Sequence, residues 1–123
     1  MTRGRAAAAG ALAALAGTLV ALRPRRVVVE GRSMEPTLAE GDRLLVVRAW
    51  RVGPGDLVAF HDPREPRRLL VKRVTSILGD DVMVHGDNPP ASTDSRAFGP
   101  VSRRALLGRV LRRYQRGAPQ RSR

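Results

Sequence analysis

Three stretches of the sequence carry side chains able to make or break a covalent bond. The first is Gly31-Arg32-Ser33-Met34-Glu35-Pro36-Thr37-Leu38, in which Ser33 follows an apolar run. Pro36 bars a helix from running through, so the hydroxyl sits in a constrained turn with its own N–H free to meet a carbonyl. The second is Leu69-Leu70-Val71-Lys72-Arg73-Val74, an apolar stretch holding one amine. As a strand it sets Leu70, Lys72 and Val74 on one face, where an ammonium is costly and the pKa of Lys72 should fall. The third runs from Gly86-Asp87-Asn88 through Ser92-Thr93-Asp94-Ser95-Arg96 to Phe98-Gly99-Pro100, a loop dense in hydrogen-bonding groups. These residue types allow Ser33 Oγ to attack a carbonyl while a neutral Lys72 takes its proton and backbone donors hold the oxyanion. A Ser–His–Asp arrangement with His85 or His61 as base is the rival reading of the same residues.

The composition sharpens the lysine. Of 23 Lys and Arg residues only Lys72 is lysine. A chain that uses arginine wherever a fixed charge suffices marks its one lysine as a candidate for a task arginine cannot do, because guanidinium does not deprotonate. There is no cysteine, which excludes disulfides and thiol nucleophiles, and with only two histidines no metal site and no cofactor is expected. The net charge is +12, yet its distribution argues against a nucleic-acid groove. Residues 1–26 hold five arginines and 103–123 hold eight, with no acid in either, whereas 27–102 is nearly neutral. Basic ends on a neutral body suit a membrane surface, and no specific nucleic-acid partner is expected.

The elements that must position these groups follow from hydropathy and turn residues. Ala6 to Leu22 is a run of 17 uncharged residues bracketed by arginines, about 25 Å long as a helix. It is expected to be a single-pass N-terminal membrane anchor, with a cleaved leader or a surface-lying helix as alternatives. Strands are expected at Val27–Glu30, Arg43–Arg48, Leu57–Phe60, Leu69–Leu78 and Asp81–His85, punctuated by Gly, Pro, Asn and Asp. Gly86–Pro100 reads as an ordered loop without regular structure, and 105–114 fits a strand or a short helix equally. The expected organisation is an anchor segment over 1–26, a mostly antiparallel β-domain over 27–116, and a disordered basic tail over 117–123.

The three chemical stretches, in this order, resemble the signature boxes of the signal peptidase I family of serine endopeptidases. Ser33–Leu38 matches its Ser-Met-x-Pro-Thr-Leu box, Lys72–Val74 its Lys-Arg-Val box, and Gly86–Gly99 its Gly-Asp-Asn…Ser-x-Asp-Ser-Arg…Gly box. The resemblance implies a compact mostly β fold of the signal-peptidase and repressor-peptidase type behind an N-terminal hydrophobic helix. It implies Ser33 as nucleophile and oxyanion donor, Lys72 as general base and Ser92 as the hydroxyl orienting the amine. Asp94, Arg96 and Arg73 become a supporting salt-bridge network, and Gly86, Asp87 and Asn88 shape the turn into the loop. Met34 is read as a core or pocket filler. Gly31 stands where many members carry a hydroxyl as second oxyanion donor, so that donor must come from elsewhere. Only 38 residues separate Ser33 from Lys72, which leaves little beyond the catalytic β-fold.

The resemblance further implies a polypeptide substrate bearing an N-terminal signal or propeptide, and location at a bacterial plasma membrane. The compact size is most similar to members that mature nickel-type superoxide dismutase, where nickel belongs to the substrate. The alternatives are general signal-peptidase or inner-membrane-peptidase-like processing, a self-cleaving repressor-type peptidase, and an inactive membrane-anchored binding module.

Overall fold

The computed structural model describes residues 24–48 and 51–118. Seven strands form one antiparallel sheet: β1 (Arg25–Val28), β2 (Arg43–Val47), β3 (Leu57–His61), β4 (Leu69–Leu78), β5 (Asp81–His85), β6 (Val101–Ser102) and β7 (Leu106–Gln115). Their spatial order is β1-β2-β7-β3-β4-β5-β6, so the last strand is inserted between β2 and β3. β7 therefore finds backbone partners on both sides, its first half along β3 and its second along β2, with Arg109 facing Val47 across one ladder and Val58 across the other. That double pairing resolves the ambiguous stretch 105–114 as a strand, entered through a single 3-10 turn at Arg103–Ala105. Gly108 lies against the Val47 backbone, where a Cβ would meet the carbonyl carbon at 2.8 Å.

Two apolar clusters hold the sheet. Val27, Val29, Met34, Leu38, Leu44, Val46, Ala59 and Val71 form one. Val58, Phe60, Val74, Val82, Val84 and Val101 form the other, with Phe98 edge-on to Phe60 at 6.3 Å between ring centres. The strand alternation of β3 and β4 divides neighbouring residues between them: Ala59 and Val71 go one way, Val58 and Val74 the other. Lys72 stands in register with Val58, on the second side.

Some boundaries differ from expectation for physical reasons. The first strand begins at Arg25, not Val27, because Arg25 and Arg26 pair through their backbones with Val46 and Leu45 while their side chains stay exposed. Both arginines thus belong to the sheet and not to the segment before it. The loop Gly86–Pro100 contains a 3-10 turn at Pro89–Ala91 and a short helix, α1 (Ser95–Phe98), whose N-cap is Asp94. Gly117, expected to open a disordered tail, donates its N–H to Asp42 Oδ1 at 2.7 Å and crosses directly over Gly41. The expected anchor, residues 6–22, lies outside the described residues, as does 119–123 of the expected tail. Among the described residues no helix is long and apolar enough to cross a membrane.

Candidate active site

Lys72 is 2% exposed although it carries an amine, and Ser33 is half-buried in the loop after β1. Both line one cavity of about 80 Å³, together with Gly31, Arg32, Asp62, Leu70 and Thr93 among others. Neither His61 nor His85 lines it, so the histidine-base alternative has no geometric footing there.

The surroundings of the amine act on its pKa in both directions. Burial is the main influence and lowers the pKa of Lys72, the positive charges of Arg68 and Arg64 push the same way, and Asp94 and Asp62 oppose them. Lys72 Nζ donates to Ser92 Oγ at 3.1 Å. Ser92 Oγ in turn donates to Asp94 Oδ2 at 2.7 Å. An ionised carboxylate only accepts, so the Ser92 proton points at Asp94 and its lone pair points at Lys72. A neutral amine has two N–H bonds and one lone pair. Spending one N–H on Ser92 fixes its rotation and leaves the lone pair available to a proton in the cavity.

Asp94 is kept ionised to make this work. Burial opposes its charge, but hydrogen bonds from Arg96, Gly86 and Ser92 outweigh burial and hold its carboxyl well below the usual range. Arg96 grips it through Nε at 2.9 Å and Nη2 at 2.6 Å, its backbone N–H adds a third bond at 3.2 Å, and Gly86 N–H a fourth at 2.9 Å. With these contacts a 1%-exposed charge carries no unmet hydrogen-bonding demand. Ser95 Oγ accepts from Val84 N–H at 2.8 Å and sews the same loop onto β5.

A second set of contacts fixes the Ser33 loop. Asn88 N–H donates to the Ser33 carbonyl at 2.8 Å, and Asn88 Nδ2 donates to the Arg32 carbonyl at 3.0 Å. Thr37 Oγ1 donates to Asp87 Oδ2 at 2.6 Å, and Asp87 is itself clamped by Arg73 Nε at 2.9 Å and Nη2 at 2.8 Å. Arg73 therefore pairs with Asp87 and not with Asp94, which corrects the single expected network into two. As the neighbour of Lys72 on β4 its side chain points to the opposite face, toward the strand end where Asp87 emerges. One network positions the amine; the other ties the hydroxyl's loop to the amine's strand. Asp87 and Asn88 thus do more than shape a turn, and Thr37 is a member that sequence reading missed, since nothing local links it to a residue 50 positions away.

Gly86 stands where both networks meet. A Cβ there would lie 2.6 Å from Ser92 Cβ and 2.7 Å from the Ser33 carbonyl oxygen, so only glycine fits between the two loops. Gly31 has φ +75°, a conformation that glycine adopts without strain. Neither the N–H nor the Oγ of Ser33 has a partner among the described residues. Met34 is 1% exposed and packs in the first apolar cluster, supporting the loop from beneath.

An open antiparallel sheet with a hydroxyl and a buried amine in one cleft has the arrangement of a β-rich peptidase domain. The chain belongs to the signal peptidase family, described as Signal peptidase, peptidase S26, whose pattern matches residues 3–86 and 80–115. It is 36% identical over 112 aligned residues to the mitochondrial ATP-independent inner membrane protease subunit 1a of Arabidopsis thaliana, covering 69% of this chain and 67% of that protein. It is 33% identical to mitochondrial inner membrane protease subunit 2 of Danio rerio, covering 67% of this chain and 59% of that protein. Subunit 1 of Homo sapiens is 29% identical, with coverages of 69% and 66%. The chain spans from 59% to 67% of the length of these relatives.

Proposed function

We propose that the chain is a serine endopeptidase that removes N-terminal signal or pro-segments from polypeptides at a membrane, using Ser33 as nucleophile and Lys72 as general base. The observation that carries this reading is a lysine amine, almost fully buried and held by Ser92, lining the same cavity as an unpartnered serine hydroxyl. Lys72 as a neutral amine takes the Ser33 proton while Oγ adds to the scissile carbonyl. The Ser33 N–H stabilises the oxyanion. The ammonium so formed then gives its proton to the departing amine, and water repeats the sequence to release the acyl group. Asp94 carries compensating charge near the transient ammonium, and Ser92 keeps the amine from rotating away. Gly31 supplies no side-chain donor, so the second oxyanion contact falls to a backbone N–H or a water.

The named relatives are inner membrane protease subunits, and this favours general processing of exported or membrane-inserted proteins over the narrower maturation of nickel-type superoxide dismutase. Residues 6–22 are proposed as the membrane anchor, by their hydropathy. The test is cleavage by the detergent-solubilised full chain of peptides bearing a small-x-small sequence, with a nickel-type dismutase pro-segment as a second substrate. Cleavage that vanishes in Ser33→Ala and in Lys72→Arg supports the dyad. Equal turnover by either variant overturns it.

A further inference from the structure

The cavity that holds Ser33 and Lys72 extends along β4 to the β3–β4 turn, and three arginines line it: Arg32, Arg64 and Arg68. Glu30 and Asp62 line it too, so three arginines face two carboxylates. Two of the arginines are already engaged. Arg32 Nε lies 3.2 Å from both oxygens of Glu35. Arg64 grips Asp62 through its backbone N–H at 2.9 Å and its guanidinium at 3.3 to 3.4 Å, and sits 5.9 Å from the centre of the Phe98 ring. The Arg68 side chain is exposed and makes no hydrogen bond or ion pair among the described residues. Its backbone, by contrast, is anchored: its N–H donates to the Glu65 carbonyl and its carbonyl accepts from Asp62 N–H, both at 2.8 Å. Its charge acts on the Asp62 carboxylate at longer range, without a direct bond, so a guanidinium on a fixed backbone is left able to take an anion at the edge of the cleft.

We propose that Arg68 is a specificity-determining residue whose guanidinium takes a substrate carboxylate two to four residues from the scissile bond. This rests on the peptidase reading above. The spacing comes from the chain: Arg68, in the bend just before β4, and Leu70 and Lys72 within β4 all line the cavity. The four steps from Arg68 to Lys72 span at most about 13 Å, the length of four residues of an extended peptide laid alongside. The long arginine side chain brings the contact inward by a residue or two. The ligand is thus an acidic side chain of the leader or of the mature N-terminus, on whichever side of the cut runs toward the β3–β4 turn.

The test measures binding separately from catalysis. Fluorescein-labelled peptides with a small-x-small sequence carry Glu or Gln two, three or four residues to either side of the cut, and are titrated by anisotropy against the full chain bearing Ser33→Ala. At one of these positions Glu should bind about three- to fivefold more tightly than Gln, with the preference shrinking at high salt. Adding Arg68→Gln should abolish the preference, while Arg68→Lys, which keeps the charge, should retain part of it. No preference at any position, a preference unchanged by Arg68→Gln, or no peptide binding at all overturns the proposal. Cleavage of the Gln peptides by the unsubstituted chain is followed in parallel. Its absence, with Arg68-dependent binding intact, would strike the peptidase reading and leave the arginine's role standing.

Discussion

Replacing Gly86 with alanine adds one methyl group at the point where the hydroxyl's loop and the amine's loop touch. The new Cβ would stand 2.6 Å from Ser92 Cβ and 2.7 Å from the Ser33 carbonyl oxygen, with Ser92 Oγ nearer still. Ordinary carbon contacts lie at about 3.5–4.0 Å, so roughly 1 Å of movement is required. The backbone has little freedom to supply it. Gly86 N–H is bonded to Asp94 at 2.9 Å, and the Ser33 carbonyl is bonded to Asn88 N–H at 2.8 Å. The yielding element is then Ser92, whose Oγ is the 3.1 Å partner of Lys72. Overpacking of this kind costs about 1–3 kcal/mol of stability. Misplacing a catalytic group by about 1 Å costs on the order of 100-fold in rate. The assay is kcat/KM on a fluorescence-quenched leader peptide, at a temperature where circular dichroism shows both proteins folded. A folded Gly86→Ala protein cleaving at the wild-type rate would refute the claim that the two loops are held in contact for catalysis.

Asp87→Asn removes the charge gripped by Arg73 and weakens the Thr37 contact, so it should cost about 1–2 kcal/mol and lower kcat by loosening the Ser33 loop. Urea melts and steady-state kinetics check both halves. Asp42→Ala strips acceptors from the Ala39 and Gly117 N–H groups and from Arg113, all at 2.7–3.1 Å. It should cost about 2–4 kcal/mol and lower Tm by 10 °C or more. The carboxyls of Asp42, Asp87 and Asp94 are all held below their ordinary pKa. Their contribution is therefore complete above the unfolded carboxylate value of about 4 and is lost as pH falls through the depressed folded values. The urea midpoint should stay level above about pH 5 and drop steadily below about pH 4, and Asp94→Asn should flatten that drop.

The central strands were legible because their apolar runs end on unmistakable turn residues: β4 and β5 have the expected bounds, Leu69–Leu78 and Asp81–His85. The first strand was misplaced because two adjacent arginines look like a flank, although strand pairing engages only their backbones. Residues 105–114 could not be decided locally, since what makes them a strand is the presence of β2 and β3 on either side. Within the site, the rarity of lysine singled out Lys72, and the resemblance to the family's third box implied the grouping of Ser92, Asp94 and Arg96 that the fold assembles. Charge pairing over distance was not readable. Arg73 had several acids in reach on paper, and only the side-chain alternation of β4 sends it to Asp87. The bonds from Thr37 to Asp87 and from Gly117 to Asp42 join residues 50 and 75 positions apart and leave no local trace.

Because the chain has a single lysine, 15N-lysine labelling gives one side-chain amine resonance with no ambiguity of assignment. Burial lowers the Lys72 pKa, so the amine should titrate below the ordinary lysine value. On the proposed dyad, the kcat/KM profile should rise with pH and level off above that same pKa, because only a deprotonated amine can accept a hydroxyl proton. Stability should also rise over the interval between the folded and unfolded pKa values, where the unfolded chain binds the extra proton. A resonance that titrates at or above the ordinary lysine value, or a rate that is flat across its titration, would contradict the assignment of Lys72 as the base.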